Sequence, residues 1–271
     1  MAAEPASRPA VWIEPADGYV VARLAHPPAN PLSPVVLDGL AEAAQAVEDL
    51  GARALVITSA LDGFFAAGAD IKHMRTLDAD GFAVYGTQMR QLFQRITELE
   101  AISIAAIDGL ALGGGLELAF ACTLRIGSDA ARLGLPEVHL GLIPGAGGTQ
   151  RLPRLIGRSR ALEVLLTGRQ VPAPEAHAIG MIDRLVPAGT AEQVALEIAV
   201  QLARSSAPAL AAIRRCVESA LTEELEPGIA VEAAEEQALF VDGEASEGFA
   251  AFLERRPPVF RTAGGTGIAN G

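Results

Sequence analysis

The stretch that most constrains this chain is Ala105-Ala106-Ile107-Asp108-Gly109-Leu110-Ala111-Leu112-Gly113-Gly114-Gly115-Leu116-Glu117-Leu118-Ala119. Ile102 to Ile107 is short and apolar, as a fully buried strand is. The strand breaks at Asp108-Gly109, and the chain then passes through three glycines into a helix. With no Cβ in the way, a glycine run lets backbone approach another group closely. Where such a run opens a helix, its free N–H groups can hold a negative oxygen. Gly114 and Glu117 are three apart and share a helix face, so one backbone donor and one carboxylate address one spot. That combination suits stabilising a developing oxyanion while a proton moves. Taken alone, the stretch fits equally well a flexible turn before a buried helix, with Glu117 matching the helix dipole.

Two further stretches have the same character. Phe64-Phe65-Ala66-Ala67-Gly68-Ala69-Asp70-Ile71-Lys72-His73-Met74 follows the apolar strand from Ala54 to Thr58. It offers backbone N–H groups beside small residues and ends where a short helix begins at Asp70. By itself it also fits an ordinary helix entry capped by Asp70. In Gly134-Leu135-Pro136-Glu137-Val138-His139, the acid follows a proline and sits among apolar residues. Such a carboxyl has its pKa raised and suits proton transfer, or it is simply a charge at a helix start. Gly145-Ala146-Gly147-Gly148-Thr149-Gln150 has Gln150 where a dinucleotide loop needs glycine, and no long strand precedes it. A Rossmann reading is rejected, and no Walker loop is present.

Around these stretches the pattern is α/β. Val11–Glu14 and Tyr19–Leu24 flank Asp17-Gly18 as a hairpin. Ser33 is placed to cap a helix with Pro34 at its first position, running to Leu50 and ended by Gly51. Strand, helix and strand recur at 102–107, 114–122 and 123–127, which points to stacked strand–helix turns rather than one flat sheet. A helix is expected over 80–99. From Ser159 the chain is mostly helical, over 158–167, 174–179, 191–204, 207–221, 228–240 and 244–255, with a short strand at 184–186. The last helices are amphipathic and long for their local core, so a second subunit is expected against them.

The net charge of −12 over 271 residues argues against nucleic acid or an anionic membrane as partner. Lys72 is the only lysine, so an anion must be met by arginines, Lys72 or backbone N–H groups. Asp108 and Glu117 interrupt the one apolar run that rivals a membrane span, 102–124. Cys122 and Cys216 read as buried free thiols in a reducing compartment, and no spacing suggests a metal site. Met1–Ala10 lacks the apolar core of a signal peptide. The expected localisation is cytoplasmic.

Taken together, the three stretches resemble the crotonase family, the enoyl-CoA hydratases and isomerases, from about Trp12 to Phe260. Phe65-Ala-Ala-Gly-Ala-Asp-Ile-Lys is similar to the family's first oxyanion-hole segment, and Ile104 to Leu118 to its second. Gly134-Leu-Pro-Glu, followed by Gly141-Leu-Ile-Pro-Gly-Ala-Gly-Gly-Thr-Gln-Arg-Leu, is similar to the second catalytic segment. Glu247-Gly-Phe-Ala-Ala-Phe-Leu-Glu-Arg-Arg-Pro is similar to the C-terminal helix. The resemblance implies a spiral core of stacked ββα turns and C-terminal helices used in trimer assembly. On that reading a leader covers 1–10, the core with its active site 11–200, the helical oligomerisation region 201–260 and a flexible tail 261–271. A homotrimer or homohexamer is expected.

The resemblance further implies that Ala69 and Gly114 hold an acyl-CoA thioester oxygen, with Glu117 and Glu137 as the catalytic acids of a hydratase. Ala67, Gly68, Asp70, Ile71, Gly113 and Pro136 are expected to line the substrate. No separate cofactor is implied, since coenzyme A arrives as part of the substrate. The alternatives are a Δ3-Δ2-enoyl-CoA isomerase on the same scaffold and a non-catalytic acyl-CoA-binding oligomer. His73 and His139 are expected at the rim. Three positions depart from the family pattern: Ile102 replaces a proline, Thr123 an aspartate, and His26 a basic residue near the CoA phosphates. Phosphate contacts then fall to Arg255, Arg256 or Arg261.

Overall fold

The computed structural model describes residues 9–260. The expected leader up to residue 8 and the expected tail from 261, with Arg261, lie outside the described residues.

The chain opens with β1 (Val11–Ala16) and β2 (Tyr19–Leu24), paired antiparallel across Asp17-Gly18. Helix α1 (Pro34–Leu50) follows and ends at Gly51 in the left-handed conformation, φ 57°. Ser33 supplies the extended backbone of the cap, but its hydroxyl makes no capping bond; proline at the first position starts the helix without it.

Three ββα turns then stack. Each sends one strand into a large sheet and a three-residue strand into a small one. The first turn has β3 (Ala54–Ser59), β4 (Phe64–Ala66), a short α2 (Ile71–Met74) and α3 (Ala79–Glu98). The second has β5 (Ile102–Ile107), β6 (Leu110–Leu112) and α4 (Gly114–Ala121). The third has β7 (Leu124–Ser128), β8 (Arg132–Gly134), a 3-10 helix (Pro136–Leu140) and α5 (Gly148–Ile156). Then come α6 (Arg158–Thr167), β9 (Gln170–Pro172), α7 (Ala173–Ala178), β10 (Arg184–Val186) and α8 (Ala191–Ala203). The large sheet runs β1-β2-β3-β5-β7-β10 and the small one β4-β6-β8-β9.

The large sheet is parallel from β2 to β10 and covered on both faces. Val56, Ile104, Ala106 and Ile126 pack against α8, while Leu55, Ile57, Ala105 and Ile107 face the main core with α1, α3 and α4. Burial on both faces explains why these strands read as continuous apolar runs. Helix α3 buries Tyr85, Met89, Leu92, Phe93 and Ile96 on one stripe. Thr123 N–H donates to Ser103 Oγ at 3.0 Å, tying β5 to the start of β7.

The C-terminal helices α9 (Ala207–Ser219), α10 (Leu225–Asp242) and α11 (Ala245–Glu254) differ from everything before them. They bury only Ala211, Ala212 and Ala251. Val217, Leu221, Leu225, Phe240, Phe252 and Leu253 stand exposed. No helix among the described residues is long and apolar enough to cross a membrane.

Candidate active site

The second ββα turn builds the centre of the site. Gly113 adopts φ 51° and ψ −129°, a conformation that favours glycine, and turns β6 into α4. Gly115 serves packing: a methyl group there would lie 2.2 Å from Ala66 O. Gly114, between them, is the first residue of α4 and its N–H has no acceptor among the described residues. The three glycines thus have three separate causes: a turn, an open donor and a helix seated on a strand.

The first turn brings the second donor. Residues 66–70 are threaded between α4 and the loop before α1. Ala67 N–H donates to Ala29 O, and Gly68 O accepts from Leu32 N–H at 2.8 Å. Asn30, fully buried, donates from Nδ2 to Phe65 O and Ser59 Oγ. The Tyr85 hydroxyl receives Asp70 N–H at 3.2 Å and donates to Leu32 O. Asp70 caps α2 by accepting from Lys72 N–H and His73 N–H. What this leaves without an acceptor is Ala69 N–H. A methyl group on Gly114 would stand 3.4 Å from the Ala69 nitrogen, and one on Gly68 would stand 3.6 Å from the Gly114 nitrogen. The two donors are neighbours on rigid backbone, so an oxygen placed between them meets two N–H groups.

Two carboxyls flank this pair. Glu117, one turn into α4, is 2% exposed. Its Oε1 accepts from Ala146 N–H and Gly148 N–H, each at 2.7 Å. Burial pushes its pKa up, while these two N–H groups and the nearby Arg151 charge pull it back down. Glu137 lies in the 3-10 helix after Pro136. A methyl group on Gly113 would lie 2.9 Å from its Oε1, which places this acid beside the turn into α4. Its Oε2 is buried and has no hydrogen-bond partner among the described residues. Burial, aided by repulsion from Glu117, pushes its pKa up to about 7. The arrangement therefore has two donors for a developing oxyanion, one carboxyl pinned by backbone and one that holds its proton up to about pH 7.

All four residues expected to do chemistry, Ala69, Gly114, Glu117 and Glu137, are brought together. Ala67, Gly68 and Gly113 form the adjoining backbone, while Pro136 starts the 3-10 helix. Asp70 is a helix cap, and Ile71 is 51% exposed just beyond it. His73 stacks edge-on against Tyr85, with ring centroids 5.3 Å apart. His139 lies against the Gly168 turn: a methyl group there would meet its Nε2 at 2.7 Å. Arg256, expected to meet phosphate, is paired with Glu247 and Glu254. Sequence reasoning missed the role of Ala146 and Gly148. The available signal was the glycine run opening α5, whose N–H groups receive a carboxylate rather than a phosphate.

A family model described as enoyl-CoA hydratase/isomerase matches residues 15–263. A probable enoyl-CoA hydratase of Bacillus subtilis is 39% identical over 251 residues, 90% of this chain and 96% of that one. An enoyl-CoA isomerase/hydratase of Mycosarcoma maydis is 40% identical over 197 residues, 72% of each chain. The crystal structure of an enoyl-CoA hydratase from Bacillus anthracis superposes with a TM-score of 0.89 at 34% identity, covering 93% of this chain and 98% of that one.

Proposed function

Because the chain belongs to the enoyl-CoA hydratase/isomerase family, we propose that it is an enoyl-CoA hydratase, adding water in the syn sense across the C2=C3 bond of a trans-2-enoyl-CoA. The observation that carries this reading is the pair of carboxyls, Glu117 and Glu137, held in opposite ways beside two free backbone donors. The product is a 3-hydroxyacyl-CoA.

The thioester oxygen sits between Ala69 N–H and Gly114 N–H. As water attacks C3, electron density moves from the double bond toward that oxygen. Donors aimed at the developing charge lower the barrier, each by about 3 kcal/mol. Glu117, whose charged form the N–H groups of Ala146 and Gly148 favour, takes a proton from the attacking water. Glu137, protonated near neutrality, delivers its proton to C2. Passage of the proton from Glu117 to Glu137 resets the pair. The two carboxyls titrate as one coupled unit.

Isomerisation of a 3-enoyl-CoA would need only one of these acids to carry a proton between C4 and C2. The presence of both, oppositely tuned, favours hydration. The test is a panel of 2-enoyl- and 3-enoyl-CoA esters of graded length, following loss of the conjugated thioester and formation of the 3-hydroxy product. Turnover of 3-enoyl-CoA alone would support the isomerase. Tight binding of crotonyl-CoA without turnover would mark a non-catalytic binder.

The same reading extends to assembly as a homotrimer or a pair of trimers. The exposed Val217, Leu221, Phe252 and Leu253 on α9–α11 support it, since a subunit contact would bury them. Sedimentation at a single-chain mass would overturn it.

A further inference from the structure

We propose that Arg151 is a positioning residue for this reaction: acting from behind the 145–148 loop, it fixes the N–H groups that hold Glu117 and sets a positive charge behind them. The kinetic part of this inference rests on the hydratase reading; the structural part does not.

Arg151 lies in the first two turns of α5 and is half-buried. Its Nη1 donates to Ala146 O at 3.1 Å, on the residue whose N–H meets Glu117. Its Nη2 donates to Thr97 Oγ1, also at 3.1 Å. The Thr97 hydroxyl lies 3.1 Å from Ala121 O, the last residue of the helix that carries Glu117. The contacts close a ring: Glu117, Ala146, Arg151, Thr97, Ala121, and back along α4. Helices α3, α4 and α5 each contribute to it, with the Thr97 hydroxyl shared between Ala121 O and Phe93 O at 3.0 Å on its own helix.

The orientation follows from the planar trans peptide, in which C=O and N–H point in opposite directions. Gly145 O and Ala146 N–H belong to one peptide, and Arg90 from α3 donates to that oxygen at 3.2 Å. Gly147 O and Gly148 N–H belong to another, and the first turn of α5 takes that oxygen through Gln150 N–H and Arg151 N–H. The peptide between them is held by the Arg151 guanidinium. With the carbonyls drawn outward, both N–H groups are aimed inward at Glu117 Oε1.

Charge adds to geometry. Arg151 is the positive group facing Glu117, and Glu137 from the 3-10 helix is the second acid, whose proton Glu117 helps to hold. Cys122, at the end of α4, is pushed up to about 12 by burial and stays neutral. On α3, Arg90 is turned to Gly145 O and Thr87, and Arg95 to Gln45 and Glu48. Strands β4 and β6, also packed on α4, carry no charged residue. Arg151 makes no salt bridge with Glu117; its hydrogen bonds go to neutral oxygens, and its charge acts across the loop.

The test compares wild type, Arg151→Gln, Arg151→Lys and Thr97→Val by pH–rate profile on crotonyl-CoA. Difference infrared spectroscopy follows the Glu117 carboxyl, assigned with Glu117→Gln. Arg151→Gln is expected to lower kcat by about tenfold to a hundredfold, with KM within about twofold. It should also move the acid limb and the infrared titration of Glu117 up by about one pH unit. Arg151→Lys restores the limb but not full kcat; Thr97→Val lowers kcat and leaves the limb in place. An Arg151→Gln enzyme with less stability but an unmoved limb and titration overturns the inference. Where that variant does not fold, wild-type kcat in both Arg151→Lys and Thr97→Val overturns it. A wild type inert toward every 2-enoyl-CoA, with the infrared titration still displaced in Arg151→Gln, sinks the hydratase reading and keeps the positioning role. Full hydratase activity with no displacement does the reverse.

Discussion

The two carboxyl-bearing segments use the same chemical group in opposite settings. Helix α4 is buried along its whole length, and its Glu117 receives two backbone N–H groups at 2.7 Å. The 3-10 helix around Glu137 has no buried residue, yet the tip of that acid enters the site and leaves Oε2 without a partner. Desolvation pushes both acids up; Glu117 is pulled back by two N–H donors from another segment, Glu137 by its own backbone N–H alone. More N–H donors on a carboxyl favour its charged form, and fewer leave burial to favour the protonated one.

Removing either charge is the largest way to break the comparison. Glu117→Gln and Glu137→Gln should each lower hydratase kcat by about 10²–10⁴-fold with modest change in KM, as loss of a general acid or base does. Their effects on folding should differ. Glu117→Ala leaves the N–H groups of Ala146 and Gly148 without an acceptor in a buried site, which costs about 1–3 kcal/mol each. Glu137→Ala frees only its own backbone N–H, on a 3-10 helix with no buried residue. Steady-state assays and urea unfolding on both variants check this, and equal destabilisation would sink the contrast.

A smaller effect comes from disturbing the cradle and leaving the acid in place. In Gly148→Ala the new methyl group would lie 3.1 Å from Glu117 Oε1 and 2.7 Å from Pro144 Cβ. Shifting the carboxylate by a few tenths of an ångström should reduce kcat by about tenfold to a hundredfold. Gly145→Ala, where the nearest atom is Ile143 O at 3.9 Å, serves as the control and should stay close to wild type. A Gly148→Ala enzyme as fast as that control would mean the position of Glu117 is not set by this loop.

The sequence made one segment much more legible than the other. Strand β5 and α4 could be read because an apolar run, a glycine run and a lone acid each carry a local signal. Glu137 was read from its proline and apolar neighbours, but the 3-10 turn carrying it was not. The small sheet did not show in the residue pattern; only the resemblance, through its ββα turns, implied it. Its strands β4, β6, β8 and β9 are three residues long, too short to show an alternation. The donors to Glu117 were missed for a different reason. Ala146 and Gly148 lie 29 and 31 residues from the acid they hold, and only the fold brings them together. Their glycines failed the dinucleotide pattern, and nothing local says that a carboxylate takes the phosphate's place. The Ser33 hydroxyl is the converse case, a residue type that promises a cap and makes none.

The pH dependence sharpens the comparison next. With Glu137 as proton donor, hydration needs it protonated, so kcat/KM should fall by about tenfold per pH unit above about 7. Glu137→Gln should lose that limb from its residual activity. A profile flat to pH 9 in the wild type would remove Glu137 from the donor role.

The smallest expected effect is on stability, and its size separates the acids again. Folded Glu137 keeps its proton up to about pH 7, while in the unfolded chain the group ionises near 4.5. Between those values the folded state binds more protons than the unfolded one, so stability falls as pH rises and levels off above 7. Glu137→Gln removes this term. It should match wild type below pH 4.5 and exceed it at pH 8 by about 1 kcal/mol, a figure reduced for the part of the carboxyl that faces solvent. Glu117→Gln should gain less, because the N–H donors that favour the carboxylate lose their charged acceptor at the same time. Urea unfolding of both variants at pH 4.5 and pH 8 reads the difference. A Glu117→Gln chain stabilised at pH 8 as much as Glu137→Gln would mean that the two N–H groups do not offset burial, and that the acids are held alike.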